Sequence, residues 1–311
     1  MRVAVVGAGA MGSIFGARLH QGGIETVLVD VVQPLVDKIN AEGVTVVRGE
    51  EEQVSDVRAT SDPASVGVVD AVVFFVKCYH TAAAAENARP LVGDETIVAS
   101  LQNGWGNGDV LAAVYPPEQV VVGVTYNSGT VLGPARVAHP GVGPTYVGSY
   151  ADGSGDGAGR LAAAIRDGGL EVTVTEPIRP EIWKKLILNA ATLPTAALTG
   201  MNAGALTAHG AMHDLVTETA REATAVARAL GYDIDADERV EYTHALLAKA
   251  GPTRGSMLQD FEAGRQTEVD VINGAVVRAA DEENVPVPIN RALLALVKGW
   301  ERMHGLGEDA P

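Results

Sequence analysis

The sequence predicts an α/β domain with a doubly wound parallel sheet, followed by an all-α C-terminal domain. In residues 1–126, short apolar runs rich in β-branched residues alternate with segments of helical period, which is the pattern of parallel βαβ units. From about residue 178 onward, the apolar residues recur at helical spacing instead. We therefore expect two domains, one of residues 1–177 and one of residues 178–311.

The predicted elements follow this division. Apolar runs that indicate buried strands lie at residues 2–6, 25–31, 69–77, 95–104 and 120–126. Between residues 128 and 175, glycine and proline are dense, and the alternating runs RVAHPG and PTYVGSY predict antiparallel strands that complete the same sheet. Helices are predicted after the first two strands and, in the second domain, at residues 181–200, 212–231, 236–251 and 267–285.

Composition and charge argue against several classes of protein. Hydrophobic residues make up 47% of the chain and charged residues 20%, which is typical of a globular protein. The net charge of −16 argues against nucleic acid or an anionic membrane as a partner, because both attract a basic surface. No apolar run reaches the roughly 18 residues that a membrane helix needs. Cys78 is the sole cysteine, so no intrachain disulfide can form and a reducing cytoplasm is the expected location.

The first predicted strand leads directly into a glycine cluster, GAGAMG, that begins the first helix. Gly7, Gly9 and Gly12 have the spacing G-x-G-x-x-G, which in a strand–turn–helix unit is typical of a Rossmann-type dinucleotide-binding domain. The first glycine permits a tight turn, the second lets the backbone approach a pyrophosphate, and the third lets helix and strand pack closely. The start of the helix, at Ala10 and Met11, then faces the negative charge. The motif therefore predicts a site for NAD or NADP.

The residue that follows the second predicted strand bears on the choice of cofactor. Asp30 stands where an NAD-binding domain has an acid that accepts hydrogen bonds from the adenine ribose, whereas an arginine would meet the 2′-phosphate of NADP. A carboxylate would repel that phosphate, and residues 31–34 contain no arginine or lysine. We therefore expect NAD rather than NADP, with a plain turn residue at the strand end as the alternative for Asp30.

Motifs along nearly the whole chain are shared with one known family. They are, in chain order, VVGAGAMGSIFGARL, FFVKCYHT, LQNGWGN, EIWKKLILNAA, GSMLQDFEAGRQTEVDVINGAVV and VPVPIN. Together they resemble the ketopantoate reductase (2-dehydropantoate 2-reductase) family, and SMLQD followed by TEVD-x-ING is far more specific than the glycine loop. The resemblance implies a Rossmann domain, an all-helical C-terminal domain, and reduction of the carbonyl of a small 2-oxo acid, ketopantoate, by NAD(P)H.

The resemblance implies catalytic roles for a lysine and a glutamate. Lys185, the second lysine of W-K-K-L, matches the family's catalytic acid. The chemistry agrees, because hydride addition to a ketone forms an alkoxide that needs a proton donor or a cation, and burial can lower the pKa of a lysine toward neutrality. The residue pattern alone leaves Lys184 as an alternative. Glu268, in T-E-V-D, matches an acid that tunes the lysine or binds substrate, with an ordinary helix-surface glutamate as the alternative.

Further residues are assigned to binding by the same resemblance. Asn189 is on the same helix face as Lys185 and matches a substrate-binding asparagine. Ser256, in S-M-L-Q-D, matches a residue that hydrogen-bonds substrate, although an isolated serine before a helix also fits an N-cap. Lys77 and Asn103 follow the ends of two predicted strands, where the ligand crevice of an open parallel sheet lies. Both match positions near the cofactor and the substrate.

Two residues depart from the family's pattern. Leu193 stands where many members have a second substrate-binding asparagine, and Thr253 stands where another asparagine is expected. A site built for a substrate hydroxyl discriminates strongly through its polar groups. A second hypothesis is therefore a related enzyme that uses NAD on another 2-oxo or 2-hydroxy acid, including in the oxidative direction. A third is a dinucleotide-binding sensor without catalysis.

The sequence gives only weak indications of oligomerisation and of metal binding. A helical C-terminal domain leaves a homodimer open as an alternative. His209 and His213 have the i, i+4 spacing of metal ligands on one helix face, but no third ligand follows in an obvious motif. We therefore expect no metal.

Overall fold

The computed structural model describes residues 1–208 and 210–307 of the chain. They form two compact units, one of residues 1–102 and 107–178, the other of residues 103–106 together with the chain from Arg179 onward. The short segment 103–106 therefore belongs to the second unit, although its neighbours in sequence belong to the first. Among the described residues, no helix has both the length and the apolar character needed to cross a membrane.

The first unit contains the strands and five of the helices described. The strands are β1 (Arg2–Val6), β2 (Glu25–Val29), β3 (Val44–Arg48), β4 (Glu51–Ser55), β5 (Arg58–Thr60), β6 (Ala71–Phe74), β7 (Ile97–Ser100), β8 (Val120–Thr125), β9 (Ser128–Gly133), β10 (Arg136–Gly141), β11 (Thr145–Ser149) and β12 (Val172–Val174). The helices are α1 (Ala10–Gln21), α2 (Gln33–Glu42), α3 (Thr81–Asn87), α4 (Asn107–Ala112) and α5 (Gly157–Asp167).

One sheet of eight strands runs through the described part of this unit in the order β12-β11-β8-β7-β6-β1-β2-β5. Its neighbouring pairs are parallel except for β8 and β11, which are antiparallel. From β1 the chain proceeds to β2 and β5 on one side, and then to β6, β7 and β8 on the other. The predicted Rossmann-type doubly wound sheet is thus confirmed. In such a sheet, ligands bind outside the carboxyl ends of the strands where the order reverses, which here means β1 and β6.

The central strands and the first helix supply the core of this unit. β6, β7 and β8 are buried along their whole length, as expected for valine-rich strands inside a parallel sheet. Ile14, Phe15 and Leu19 of α1 are at most 1% exposed, so they form the apolar face with which the helix packs into this core. This packing fixes the positions of β1 and α1 on either side of the glycine cluster that joins them.

The strands β4, β3, β10 and β9, in that order, form a second sheet that the sequence did not predict. The prediction that RVAHPG completes the main sheet is wrong, because this run is β10, which pairs with β3 and β9. The prediction for PTYVGSY is confirmed, since β11 pairs antiparallel with β8. Val137 and His139 of β10 are buried, as the alternation of an ordinary strand allows. Alternation does not determine which strand lies alongside, because the period of two is the same in any sheet.

The second unit is helical throughout its described part. Its helices are α6 (Arg179–Thr199), α7 (Ala203–Ala208), α8 (Gly210–Ala229), α9 (Ala236–Ala250), α10 (Ser256–Glu262), α11 (Asn273–Glu282) and α12 (Pro288–Met303). The prediction of an all-α C-terminal domain is confirmed, but that of one helix from residue 267 is wrong at its start. A 3₁₀ turn, Val269–Val271, precedes α11. The Thr267 N–H donates to the carboxylate of Glu301 on α12.

A proline within α6 leaves one helix carbonyl without its usual partner. Pro194 has no N–H and so cannot donate to the carbonyl of Ala190, four residues earlier. The Asn273 side chain, which is fully buried, donates from Nδ2 to that oxygen at 3.0 Å and to Asn290 Oδ1 at 3.1 Å. The first residue of α11 therefore completes the hydrogen bonding of α6.

Replacement of Asn273 by alanine is expected to lower the free energy of unfolding by about 1 to 3 kcal/mol, because it leaves a buried carbonyl unpaired. In a Pro194→Ala background the same change should cost less, since the restored N–H at position 194 can donate to Ala190. Urea unfolding of the four proteins measures this coupling. An equal cost in both backgrounds would contradict the role assigned to Asn273.

Candidate active site

The glycine cluster has the geometry that a pyrophosphate-binding loop requires. Gly7 has a φ of +98°, and a methyl group there would lie 2.9 Å from the Val76 nitrogen. A methyl group on Gly12 would lie 1.8 Å from the Gly7 carbonyl oxygen, so helix and loop can approach only at a glycine. At Gly9, by contrast, a methyl group would meet no atom within 4 Å. Space over the backbone is thus open at the one glycine whose predicted role is to admit a phosphate.

The N-terminus of α1 is available to an anion. Gly9 is its N-cap, and no side chain caps the helix. The backbone N–H groups of Ala10, Met11 and Gly12 therefore begin the helix without a side-chain acceptor, and the helix dipole adds positive potential at the same place. These residues suit the pyrophosphate of a dinucleotide.

Asp30 lies directly after β2 and is fixed to the glycine cluster. Its Oδ2 accepts a hydrogen bond from the Ala8 N–H at 2.8 Å, and its Oδ1 accepts one from the Val32 N–H at 3.0 Å. The contact with Val32 is local and is the one expected if Asp30 is a plain turn residue at the strand end. The contact with Ala8 is not local, and it joins Asp30 to the glycine cluster. The carboxylate is therefore held beside the dinucleotide loop, where the ribose of the adenosine half binds in Rossmann-type domains.

Lys77 follows β6 and begins a 3₁₀ turn, Cys78–His80, with its side chain partly buried. The Gln102 side chain holds the same stretch of chain, because its Nε2 donates to the Val76 carbonyl at 2.7 Å and to the Thr81 hydroxyl at 2.8 Å. Gln102 follows β7, so this amide links the chain beyond two neighbouring strands at the carboxyl edge of the sheet. The role of Lys77 toward a cofactor stays a prediction.

In the second unit, the structure separates the two candidate lysines. Lys185 Nζ donates to Asn103 Oδ1 at 2.9 Å. Burial lowers the pKa of Lys185 to about 8, although the Glu268 carboxylate acts to raise it. Lys184 instead pairs with Glu181 on the same helix at 2.7 Å, as an ordinary i, i+3 ion pair. The proton of Lys185 is therefore easier to remove than that of an ordinary lysine.

The loop that carries Asn103 is fixed within the second unit. The Trp105 N–H donates to the Val271 carbonyl at 2.8 Å, and the Trp105 and Trp183 rings lie 5.7 Å apart. Gly104, with a φ of +87°, lies so close to Val271 that a methyl group would be 2.5 Å from Val271 Cγ2. The amide of Asn103 is thus presented to Lys185 by a well-packed turn.

The other predicted residues of this unit differ in their surroundings. Glu268 is only 6% exposed and precedes the 3₁₀ turn, so it is not the helix-surface glutamate of the alternative interpretation. Asn189 lies one helical turn beyond Lys185 and is 7% exposed, and its amide makes no hydrogen bond to any described residue. Ser256 is exposed and is the first residue of α10, whose N-cap is Gly255, so the N-cap interpretation of Ser256 does not hold.

The two residues predicted to depart from the family pattern also lie in different settings. Leu193 is one further turn along α6, in line with Lys185 and Asn189, and its Cδ2 would lie 3.1 Å from a methyl group on Gly255. An apolar side chain therefore stands next to the start of α10. Thr253 is exposed, and its carbonyl accepts a hydrogen bond from the Ala203 N–H at 3.0 Å.

For the histidine pair considered as metal ligands, His209 lies outside the described residues. His213 stacks on His244, with ring centroids 3.8 Å apart. Where the chain is described, no three or more His, Cys, Asp or Glu side chains are grouped so as to hold a metal ion. The ring of His213 is thus in contact with another histidine.

Sequence reasoning missed the residues that support Glu268 from α12. These are Lys298 and Glu301, which contact the turn around Glu268. The single signal in the sequence is their i, i+3 spacing on an amphipathic helix, and a solvated face of that helix explains such spacing equally well. Their partners lie about thirty residues away in sequence, so no local pattern reveals them.

Together, the dinucleotide loop and the buried lysine define a class of protein. A Rossmann-type sheet with an open glycine loop, combined with a lysine suited to give up a proton, indicates a nicotinamide-dependent oxidoreductase. The model of the family Ketopantoate reductase PanE/ApbA matches residues 3–152, and the model of the family's C-terminal part matches residues 177–301. The chain belongs to the ketopantoate reductase family and is an NAD(P)-dependent oxidoreductase.

The similar proteins include enzymes with different substrates. A 2-dehydropantoate 2-reductase of Halobacterium salinarum is 33% identical over 97% of this chain and 99% of its own length. The ternary structure of D-mandelate dehydrogenase with NADH and anilino(oxo)acetate has a TM-score of 0.93 at 27% identity and covers 98% of this chain and 100% of that one. A ketopantoate reductase structure from Ralstonia eutropha has a TM-score of 0.88 at 32% identity, with coverages of 98% and 99%. Family membership alone therefore does not fix the substrate.

Proposed function

We propose that the protein is a 2-dehydropantoate 2-reductase, which reduces the carbonyl of ketopantoate to the hydroxyl of pantoate. The observation that carries this proposal is the contact of Lys185 with Asn103, together with the action of Glu268 on the same lysine. A lysine with a pKa near 8 is mostly protonated at neutral pH, yet it releases its proton more readily than an ordinary lysine. The curated relatives described as 2-dehydropantoate 2-reductases support ketopantoate as the substrate.

Each residue has a defined part in this reaction. The reduced nicotinamide, when bound, supplies the hydride that adds to the carbonyl carbon. Lys185 donates a proton from Nζ to the carbonyl oxygen as negative charge develops there. Asn103 orients Nζ, and Glu268 favours the charged form of the lysine before the reaction. Asn189 and Ser256 hydrogen-bond the substrate, a role that suits Asn189, whose amide makes no hydrogen bond to another described side chain.

The test is the oxidation of NADH and NADPH by the purified protein with ketopantoate and with a panel of 2-oxo acids. The expected result is a kcat/KM for ketopantoate that equals or exceeds the values for the simpler acids. If ketopantoate is inert while another 2-oxo acid is reduced, the lysine chemistry stands and ketopantoate is the wrong substrate. If no 2-oxo acid is reduced although NADH binds, a dinucleotide-binding sensor becomes the better description.

For the cofactor we propose NAD(H) over NADP(H), on the basis of Asp30. Its carboxylate is fixed beside the dinucleotide loop by the Ala8 N–H, and it would repel a 2′-phosphate. The neighbouring residues Val31 and Val32 are exposed apolar side chains and offer no cation to such a phosphate. The D-mandelate dehydrogenase structures, which contain NADH, support the same choice.

Replacement of Asp30 by asparagine is expected to lower the preference for NADH over NADPH by about tenfold or more, since hydrogen bonds to a charged group contribute about 1.5 to 3 kcal/mol. The readout is the ratio of kcat/KM for the two cofactors. Asp37→Asn is the matched control, because Asp37 lies on the exposed face of α2 and bonds to Gln33. A wild-type protein that prefers NADPH would contradict the proposal directly.

A second candidate substrate is an apolar 2-oxo acid, such as one with a phenyl substituent. The observation that favours it is Leu193, which places an apolar side chain in line with Lys185 and Asn189 and beside Gly255. The similarity to D-mandelate dehydrogenase supports it. The same panel decides between the candidates, because it compares ketopantoate with a phenyl-substituted 2-oxo acid and, in the oxidative direction, with the matching 2-hydroxy acids.

A further inference from the structure

The turn that carries Glu268 is attached at its start to α12. This turn, residues 267–271, is called the Glu268 turn below. The carboxylate of Glu301, which is 1% exposed, accepts two hydrogen bonds at Oε1, from the Thr267 N–H at 2.8 Å and from the Thr267 hydroxyl at 2.7 Å. The Thr267 hydroxyl accepts a further hydrogen bond from the Val269 N–H at 3.2 Å. Because a buried carboxylate is costly unless it is hydrogen-bonded and paired, this arrangement resists displacement.

A second contact from α12 holds the middle of the turn. Lys298 Nζ lies 2.9 Å from Asp270 Oδ2 and 3.3 Å from Glu301 Oε2. Burial tends to lower the pKa of Lys298, but the two carboxylates raise it above its ordinary value, so Lys298 stays a cation. Lys298 and Glu301 are three residues apart on one helix face and therefore contact the turn together.

The Glu268 turn supports both groups that act on Lys185. Glu268 itself is the carboxylate that raises the pKa of Lys185 against the effect of burial. The Val271 carbonyl, at the end of the turn, accepts the Trp105 N–H at 2.8 Å, and this contact holds the loop that presents Asn103. A displacement of the turn would therefore change the charge and the orientation of Lys185 at once.

We propose that Lys298 and Glu301 are positioning residues of the active site, which hold the Glu268 turn so that Glu268 and Asn103 keep their places against Lys185. They act through the turn and not on the substrate. The inference rests on the proposed role of Lys185 as the proton donor. The link from α12 to Lys185 can nevertheless be measured without enzymatic turnover.

The discriminating variant is Lys298→Met, which keeps the aliphatic stem and removes the contact with Asp270. The readout is the titration midpoint of Lys185, followed by NMR of the full-length protein with isotope-labelled lysine. If Lys298 acted on Lys185 only through its charge, its removal would raise the Lys185 midpoint, because a nearby positive charge lowers the pKa of a lysine. Displacement of Glu268 would lower it, because Lys185 stays buried and loses its carboxylate.

We expect Lys298→Met to lower the midpoint by on the order of one pH unit. It should also lower kcat while leaving the KM for the dinucleotide unchanged. Arg291→Met is the matched control, because Arg291 lies on the same helix and pairs with Asp281 on α11 instead of contacting the turn. Glu301→Gln is the conservative variant, since its amide oxygen can still accept both hydrogen bonds from Thr267, and its shift should be smaller.

A Lys185 midpoint that is unchanged or raised in folded Lys298→Met would overturn the proposal. If that variant does not fold, the Lys185 midpoint of Thr267→Val is the test instead, and an unchanged or raised value would again overturn the proposal. This substitution removes the hydroxyl contact to Glu301 while keeping the size of the side chain. Failure of the proposed function gives a different pattern. In that case Lys185→Ala would still reduce the 2-oxo acid, whereas the midpoint of Lys185 would still shift in Lys298→Met.

Discussion

Replacement of Lys185 by alanine is expected to lower kcat for 2-oxo acid reduction by a factor on the order of a hundred or more, the usual contribution of a general acid. The variant keeps the dinucleotide loop, so its affinity for NADH should change little. The measurement is steady-state NADH oxidation at saturating 2-oxo acid, with NADH binding followed separately by fluorescence. A large fall in kcat with unchanged NADH binding would assign the proton transfer to this lysine.

The pH dependence of the wild-type enzyme should identify the same group. Burial lowers the pKa of Lys185 to about 8, and Glu268 acts against this shift. Because the protonated lysine is the donor, reduction should be constant below about pH 8 and fall roughly tenfold per pH unit above it. Oxidation of the 2-hydroxy acid needs the neutral lysine and should rise with pH up to the same value. In Glu268→Gln, which lacks the carboxylate, the fall should begin at a lower pH.

Lys184→Ala provides the matched control for this lysine. Lys184 is adjacent on α6 but pairs with Glu181, so the variant should keep the wild-type kcat and pH profile. Loss of activity in Lys184→Ala together with an active Lys185→Ala would reverse the assignment of the two residues.

Gly9→Ala is expected to remove most of the affinity for the dinucleotide without a cost in stability. Gly9 has a φ of −68°, which alanine readily adopts, and the added methyl group would meet no atom of the protein within 4 Å. The methyl group would instead occupy the space through which the pyrophosphate approaches the backbone. Since each hydrogen bond to a charged group contributes about 1.5 to 3 kcal/mol, the Kd for NADH should rise about tenfold to a hundredfold.

Gly12→Ala is the contrasting variant at the same loop. Its methyl group would lie 1.8 Å from the Gly7 carbonyl oxygen, so its affinity should fall together with its melting temperature. Titration calorimetry with NADH and thermal unfolding of both variants separate the two effects. A Gly9→Ala protein that binds NADH as tightly as the wild type would show that the pyrophosphate does not lie over Gly9.

The features that the sequence predicted well are those encoded within a few neighbouring residues. The glycine loop follows from the strand, the turn and the helix that surround it, and Gly7 and Gly12 have the conformation and contacts expected from their spacing. The helical second unit follows in the same way from its period. Each of these predictions needed only local geometry, because both the apolar pattern and the turn residues lie in one short window of sequence.

The features that were missed depend on partners far away in the chain. The second sheet joins β3 and β4 to β9 and β10, across more than seventy residues. The alternation within each strand is the same whichever strand pairs with it. The stretch from residue 267 has an apolar pattern that fits a helix, but it begins with a 3₁₀ turn, and its Thr267 contacts Glu301 on α12, thirty-four residues away. Lys185 could be distinguished from Lys184 by the family resemblance and by the structure, but not by spacing, since both lie on one helix.

The short segment 103–106 has a consequence for how this family can change. Asn103, which receives the hydrogen bond from Lys185, is encoded between the codons of β7 and β8, although its segment belongs to the helical unit. Recombination that exchanged only the gene segment downstream of residue 178 would separate the lysine from the amide that accepts its hydrogen bond. We therefore expect new substrate preferences in this family to arise by point substitution more often than by exchange of whole C-terminal halves.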